Sequence, residues 1–272
     1  MLRTRVITAL ILLAVLLGVV WTGSELLFNV VIVLFAGAAL WECGRLFKGR
    51  MPVVSAVVWA ALLLYLLLRH QADAAYPLSM LCVAIWVIRL APALGLGLPA
   101  LGSMPSRLVS AVYSIAILGC FVAIAALYHR SPLYLLSVMA IVWIADIGAY
   151  FSGKAFGKRK LAPSISPGKS WEGAIGGALA VLVLTSASVF VPALQDTFAT
   201  HLQRSLGWAG MLAVMLIVVA ASVVGDLFES MLKRRAGMKD SSNLLPGHGG
   251  VLDRIDALIP VLPLAALIAF RL

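Results

Sequence analysis

PLYLLSVMAIVWIADIGAYFSGK, residues 132–154, carries a single charge, Asp146, before it reaches Lys154. A helix rising 1.5 Å per residue needs about twenty apolar residues to cross the ~30 Å hydrocarbon layer of a bilayer. Working outward, this block reads as a span over 133–151. Comparable blocks fall at 5–22, 25–42, 53–69, 76–91, 108–128, 172–192, 209–232 and 251–270. The pattern predicts an all-α, polytopic integral membrane protein with about nine transmembrane helices.

Composition agrees. Of 272 residues, 62% are hydrophobic and only 12% are charged, against about 25% charged in an ordinary soluble chain. No polar stretch is long enough to form a soluble domain. The net charge of +10 would suggest nucleic acid in a soluble protein. Here it points to loops facing anionic lipid headgroups, and no nucleic-acid partner is expected. Cys43, Cys82 and Cys120 are scattered without CxxC spacing and read as buried, inert thiols. Arg3 and Arg5 before the apolar run 6–20 resemble a signal peptide. With Trp21 following and no A-x-A-like cleavage site, that run is expected to be the first span, kept in the mature protein.

With the N-terminus placed inside, sixteen lysines and arginines fall in inner loops and four in outer ones. That asymmetry predicts an N-in, C-out topology in a bacterial cytoplasmic membrane. Residues 1–130 read as helices for packing or for a homodimer contact. Residues 131–272 read as the catalytic region.

Ionised groups inside a membrane are costly and usually pair or line a functional cavity. Six of the eleven acidic residues, Asp146, Glu172, Asp226, Glu229, Asp253 and Asp256, lie in or beside the last four spans. On the predicted topology all six belong to the cytosolic half. Asp226, Glu229, Ser230 and Lys233 recur at helical spacing and share one face. Asp253 and Asp256 do the same near the start of the last span. A short loop joins these two helices, so Asp226 and Asp253 are expected to approach across a hairpin. Facing carboxylates suit a hard divalent cation such as Mg²⁺. An ion-pair network with Lys233, Arg234 and Arg254 that only holds the helices together is the competing reading.

The joining loop, KDSSNLLPGHGG (239–250), contains Gly247, Gly249 and Gly250, which permit close backbone approach to a ligand. The N–H groups at the following helix start predict an anion site. His248 reads equally as a phosphate donor or as a loop-stabilising hydrogen bonder. A second polar stretch, 143–173, places Ala145 and Ala149 beside Asp146, leaving room for a ligand. Lys154, Lys158, Lys160 and Lys169 follow at the interface. GKS (168–170) is not a Walker loop, because Pro163 stands where that motif requires glycine.

SMLKRRAGMKDSSNLLPGHGGVLDRID (230–256) closely resembles the signature of phosphatidate cytidylyltransferases, the CDP-diacylglycerol synthases. GDLFES (225–230) and SPGKSWEG (166–173) also resemble segments of that family. The resemblance covers roughly 143–256. It implies a helical, Mg²⁺-dependent enzyme that joins CTP to phosphatidic acid, releasing pyrophosphate, among membrane lipids and with its site facing the cytosol. It implies metal roles for Asp226 and Asp253, with a second cation left open. Lys233, Arg234, Lys239 and Arg254 are then expected to hold phosphate oxygens, with Asp240, His248 and Asp256 beside them in the catalytic set. Ser166, Lys169 and Trp171 are assigned to nucleotide or lipid phosphate. Asp146, Glu172, Glu229, Ser230, Gly249 and Gly250 complete the substrate-binding set. A transporter would need acids along an exit path and often shows two related halves. The acids here crowd one half, and no repeat is visible. A polyprenyl-phosphate transferase would share the carboxylate logic and is separated only by the signature.

Overall fold

A computed structural model describes residues 21–69 and 72–272, together with 8, 10–11, 14–15 and 17–19; the side chains of 72–74 are not described. The first predicted span, 5–22, lies largely outside the described residues. The remaining elements are α1 (Glu25–Leu46), α2 (Pro52–Leu68), α3 (Ala72–Ile85, continued by a π turn over Trp86–Leu90), α4 (Ala93–Leu96), α5 (Met104–Arg130), α6 (Pro132–Phe156), β1 (Lys160–Ala162), β2 (Ser166–Ser170), α7 (Trp171–Ser188), α8 (Phe198–Ala236), α9 (Leu252–Ile255) and α10 (Leu258–Ala269). Among the described residues, six helices are long and apolar enough to cross a membrane, and α2 and α10 are shorter apolar helices. The fold is the expected all-α membrane architecture, though these residues give six full-length spans where the sequence predicts nine in the whole chain.

Local chemistry sets the helix ends. Ser24, Ser103, Ser131 and Ser170 cap α1, α5, α6 and α7, each accepting a hydrogen bond from a backbone N–H in the first turn. Gly237, left-handed at φ 73°, stops α8. Gly207 (φ 68°) kinks α8 two residues before the predicted span at 209–232. The predicted last span is interrupted between α9 and α10. The basic stretch before α7, expected to be a loop, contains a small antiparallel hairpin in which Lys160 pairs with Ser170 and Ala162 with Ser166.

α6 and α7 pack along a seam of small residues. A Cβ on Gly177 would lie 2.5 Å from the Ala145 carbonyl oxygen, and one on Gly148 would lie 2.9 Å from the Ala180 Cβ. In lipid, where apolar burial offers little gain, such close approach is what holds helices together. α10 is central: Leu258, Ile259, Val261, Leu262, Ala265 and Ala266 are all buried. α8 touches the segment leading into it at Gly225. A Cβ there would sit 2.4 Å from the Asp256 carbonyl oxygen and 2.9 Å from the Pro260 ring. Gly225→Ala is therefore expected to cost about 1–3 kcal/mol by overpacking, read as a lowered thermal unfolding midpoint of the detergent-solubilised protein.

Arginines tie the polar segments to backbone carbonyls and to a hydroxyl. Arg45 donates to the Ser241 carbonyl (3.4 Å), Arg235 to that of Pro99 (3.0 Å) and Arg234 to that of Ile165 (3.3 Å). Arg130 donates to the Ala269 carbonyl (2.5 Å) and Arg271 to the Tyr76 hydroxyl (2.6 Å).

Candidate active site

The row on α8 forms as its spacing requires. Ser230 donates to Asp226 Oδ1 at 3.3 Å, and Lys233 pairs with Glu229 one turn back. Two lysines tie this row to its surroundings. Lys169, brought in by β2, pairs with Asp226 Oδ2. Lys233 donates to Asp253 Oδ1 at 2.6 Å. Asp226 and Asp253 therefore come to the same end of the molecule, each held by its own lysine. Asp256 completes the group. It interacts electrostatically with Asp226, Lys233 and Lys169, and its Oδ1 accepts the Ala257 N–H at 2.8 Å. Glu229 is fully buried, and among the described residues its carboxylate accepts no hydrogen bond beyond the Lys233 pairing.

A cavity of about 420 Å³ opens beside this group between α6, α7, α8 and the hairpin. Asp146, Lys169, Ser170 and Asp226 are among its polar lining residues, and Ala145, Ala149, Gly173 and Gly177 are among its small ones. The small neighbours of Asp146 leave the room the sequence predicts. Ser166 lies at the start of β2, and Trp171 stands 54% exposed at the first turn of α7. Glu172 accepts the backbone N–H groups of Lys158 (3.1 Å) and Arg159 (3.2 Å). It thus anchors the base of the hairpin that carries Lys169.

The loop before α9 is organised by carboxylates. Asp253 Oδ2 accepts from the Ser241 N–H, the Ser241 hydroxyl and the Gly250 N–H, all at 2.8 Å. Gly249 takes φ 82°, and a Cβ there would lie 2.6 Å from Asp253 Oδ2. The helix start predicted to offer free N–H groups to a phosphate is already satisfied: those of Val251 and Leu252 donate to Glu42 at 3.1 and 2.6 Å. A protein carboxylate takes the place predicted for a ligand anion. The backbone N–H of His248 donates to the Leu245 carbonyl at 2.8 Å, and its buried ring Nδ1 has no partner among the described residues. Lys239, Asp240, Arg254 and Arg234 are exposed, and none of them lines the cavity.

The sequence reading missed Glu42. The signal was an acid inside an otherwise apolar helix, but it lay far from the motif and had no acidic neighbour at helical spacing.

Among the described residues, no three His, Cys, Asp or Glu side chains gather as a ready-made metal site. The donors are nonetheless hard oxygens, and four carboxylates (Asp226, Glu229, Asp253, Asp256) face two lysines. Mg²⁺ is commonly held by one or two carboxylates plus substrate phosphates and water, so the donor set fits that ion.

Comparison with known proteins places these residues in context. The model of the cytidylyltransferase family matches residues 3–271. A phosphatidate cytidylyltransferase of Pseudomonas aeruginosa is 43% identical over 98% of this chain and 96% of its own length. One of Haemophilus influenzae is 36% identical over 97% and 96%. One of Bacillus subtilis is 31% identical over 96% and 95%.

Proposed function

The chain belongs to the cytidylyltransferase family, and we infer from that premise that it is a nucleotidyltransferase joining CTP to phosphatidate to give CDP-diacylglycerol and pyrophosphate. An oxygen of the lipid phosphate bonds to the α-phosphorus of CTP. The bond from that phosphorus to the bridging oxygen breaks, and pyrophosphate leaves with the electron pair. The attacking monoester is already an anion at neutral pH, so no strong general base is required. The obstacle is repulsion between anions, and the residues act by positioning and charge compensation.

The observation that carries this reading is the convergence of Asp226, Glu229, Asp253 and Asp256 with Lys169 and Lys233 beside a cavity. Asp226 and Asp253 would hold Mg²⁺, which when bound offsets charge on the triphosphate and the departing pyrophosphate. Lys169 and Asp226 both line the cavity and pair with each other, so an incoming phosphate would compete with Asp226 for the Lys169 ammonium. Lys233 keeps Glu229 and Asp253 compensated while remaining fixed. Arg234, Lys239 and Arg254 are exposed and would collect phosphate oxygens. Asp146 in the cavity accepts hydrogen bonds from substrate.

The basic end of the bundle faces the cytosol in this reading, since both CTP and the inner-leaflet headgroup are found there. Lipid covers the apolar side chains exposed on α2, such as Val53, Val57 and Val58. Purified protein given CTP, phosphatidate and Mg²⁺ is expected to form CDP-diacylglycerol and pyrophosphate in equal amounts, and excess EDTA is expected to stop it. Absence of product defeats the assignment of substrates. Full activity in EDTA defeats the metal.

A further inference from the structure

Glu42 lies on α1, in the part of the chain whose predicted role is packing, and it is fully buried. Its carboxylate reaches across about two hundred residues of sequence to the 239–252 loop. The Ser242 hydroxyl (2.5 Å) and the Val251 N–H (3.1 Å) donate to Oε1. The Leu252 N–H (2.6 Å) donates to Oε2, and the Ser241 hydroxyl lies 3.2 Å from that oxygen. Val251 and Leu252 carry the N–H groups that the start of α9 cannot satisfy internally. Gly250 is pressed so close that a Cβ would lie 2.3 Å from Glu42 Oε1 and 2.1 Å from Ser241 Oγ.

The same loop serves Asp253. Its Oδ2 accepts from Ser241 and Gly250, the residues flanking the Glu42 contacts. The Ser241 hydroxyl has one proton and stands between the two carboxylates, at 2.8 Å from Asp253 and 3.2 Å from Glu42. The two acids thus grip one loop from opposite sides.

We propose that Glu42 is a positioning residue for the transfer reaction: it fixes the backbone of 241–252, so that Ser241 and Gly250 hold one oxygen of Asp253 and leave the other toward Lys233. This rests on the reading of Asp253 as part of the active site. A tie serving stability alone would lower the unfolding temperature without slowing the folded protein. A positioning tie slows turnover in protein that is still folded.

The test compares the full chain with Glu42→Gln and Ser242→Ala in lipid nanodiscs, below the unfolding temperature of each. Glu42→Gln turns one acceptor oxygen into a donor facing donors. Amide hydrogen exchange across 241–252 is expected to quicken at least about tenfold relative to α5 and α6. The kcat with CTP and phosphatidate is expected to fall by about tenfold to a hundredfold, with KM for CTP changed less than about threefold. Ser242→Ala, which removes one donor and leaves the carboxylate, should shift both readouts the same way by less. It decides the matter if Glu42→Gln does not fold. Unchanged exchange in the loop overturns the proposal, and so does faster exchange with unchanged kcat. A wild-type protein inactive toward CTP and phosphatidate would instead sink the functional reading, while the exchange data would still report whether Glu42 holds the loop.

Discussion

Asp226→Asn is expected to lower turnover at least about a hundredfold, the scale of losing one preorganised electrostatic contact in an active site, while the protein still folds and inserts. The Asp226 side chain is 28% exposed and that of its partner Lys169 is 27% exposed. A pair so open contributes little to stability, so asparagine, nearly the same size, should be tolerated by the fold. Its neutral amide can still accept from Ser230. What it cannot do is hold a cation against the charge of two phosphates. Product formation per mole of folded protein checks this. An Asp226→Asn protein within a few-fold of wild type would favour the competing reading, in which these carboxylates only hold helices together.

Asp253→Asn should damage both turnover and fold. Asp253 Oδ1 accepts from Lys233, and Oδ2 accepts three hydrogen bonds from Ser241 and Gly250. An asparagine must point its NH₂ either at the Lys233 ammonium or at those three donors. Either choice sets donor against donor in a buried place, and breaking such a pair typically costs about 3–5 kcal/mol. Lys233 would retain only Glu229. The expected result is loss of activity by orders of magnitude, together with a lowered unfolding midpoint and faster proteolysis within 239–250. Wild-type stability and activity in this variant would contradict both roles assigned to Asp253.

Hydrophobic blocks located the helices, because a membrane span must be long and apolar to satisfy its backbone in lipid. Helical spacing on α8 gave the contacts among Asp226, Glu229, Ser230 and Lys233, since residues three and four apart must be neighbours. The partners from elsewhere were not legible. Lys169 reaches Asp226 only because a hairpin turns it back, and nothing in its local sequence announces that. The helix start at 251–252 looked open to a phosphate because its N–H groups have no local acceptor. The acceptor, Glu42, comes from the first described helix, and a contact between positions two hundred residues apart leaves no periodic trace. The break between α9 and α10 was hidden for a related reason: the apolar run continues through it.

The central place of α10 bears on how the molecule is made. α10 follows every other described helix in the sequence, yet it packs against α3, α5, α6 and α8. During synthesis the earlier helices must therefore enter the bilayer around a slot that stays open or filled with lipid until α10 arrives. Asp253 and Asp256 come just ahead of it, so the acidic group is completed only after α1 to α8 have been made. A chain cut before α9 would keep its earlier spans but lack Asp253 and Asp256, and so could not assemble the carboxylate group.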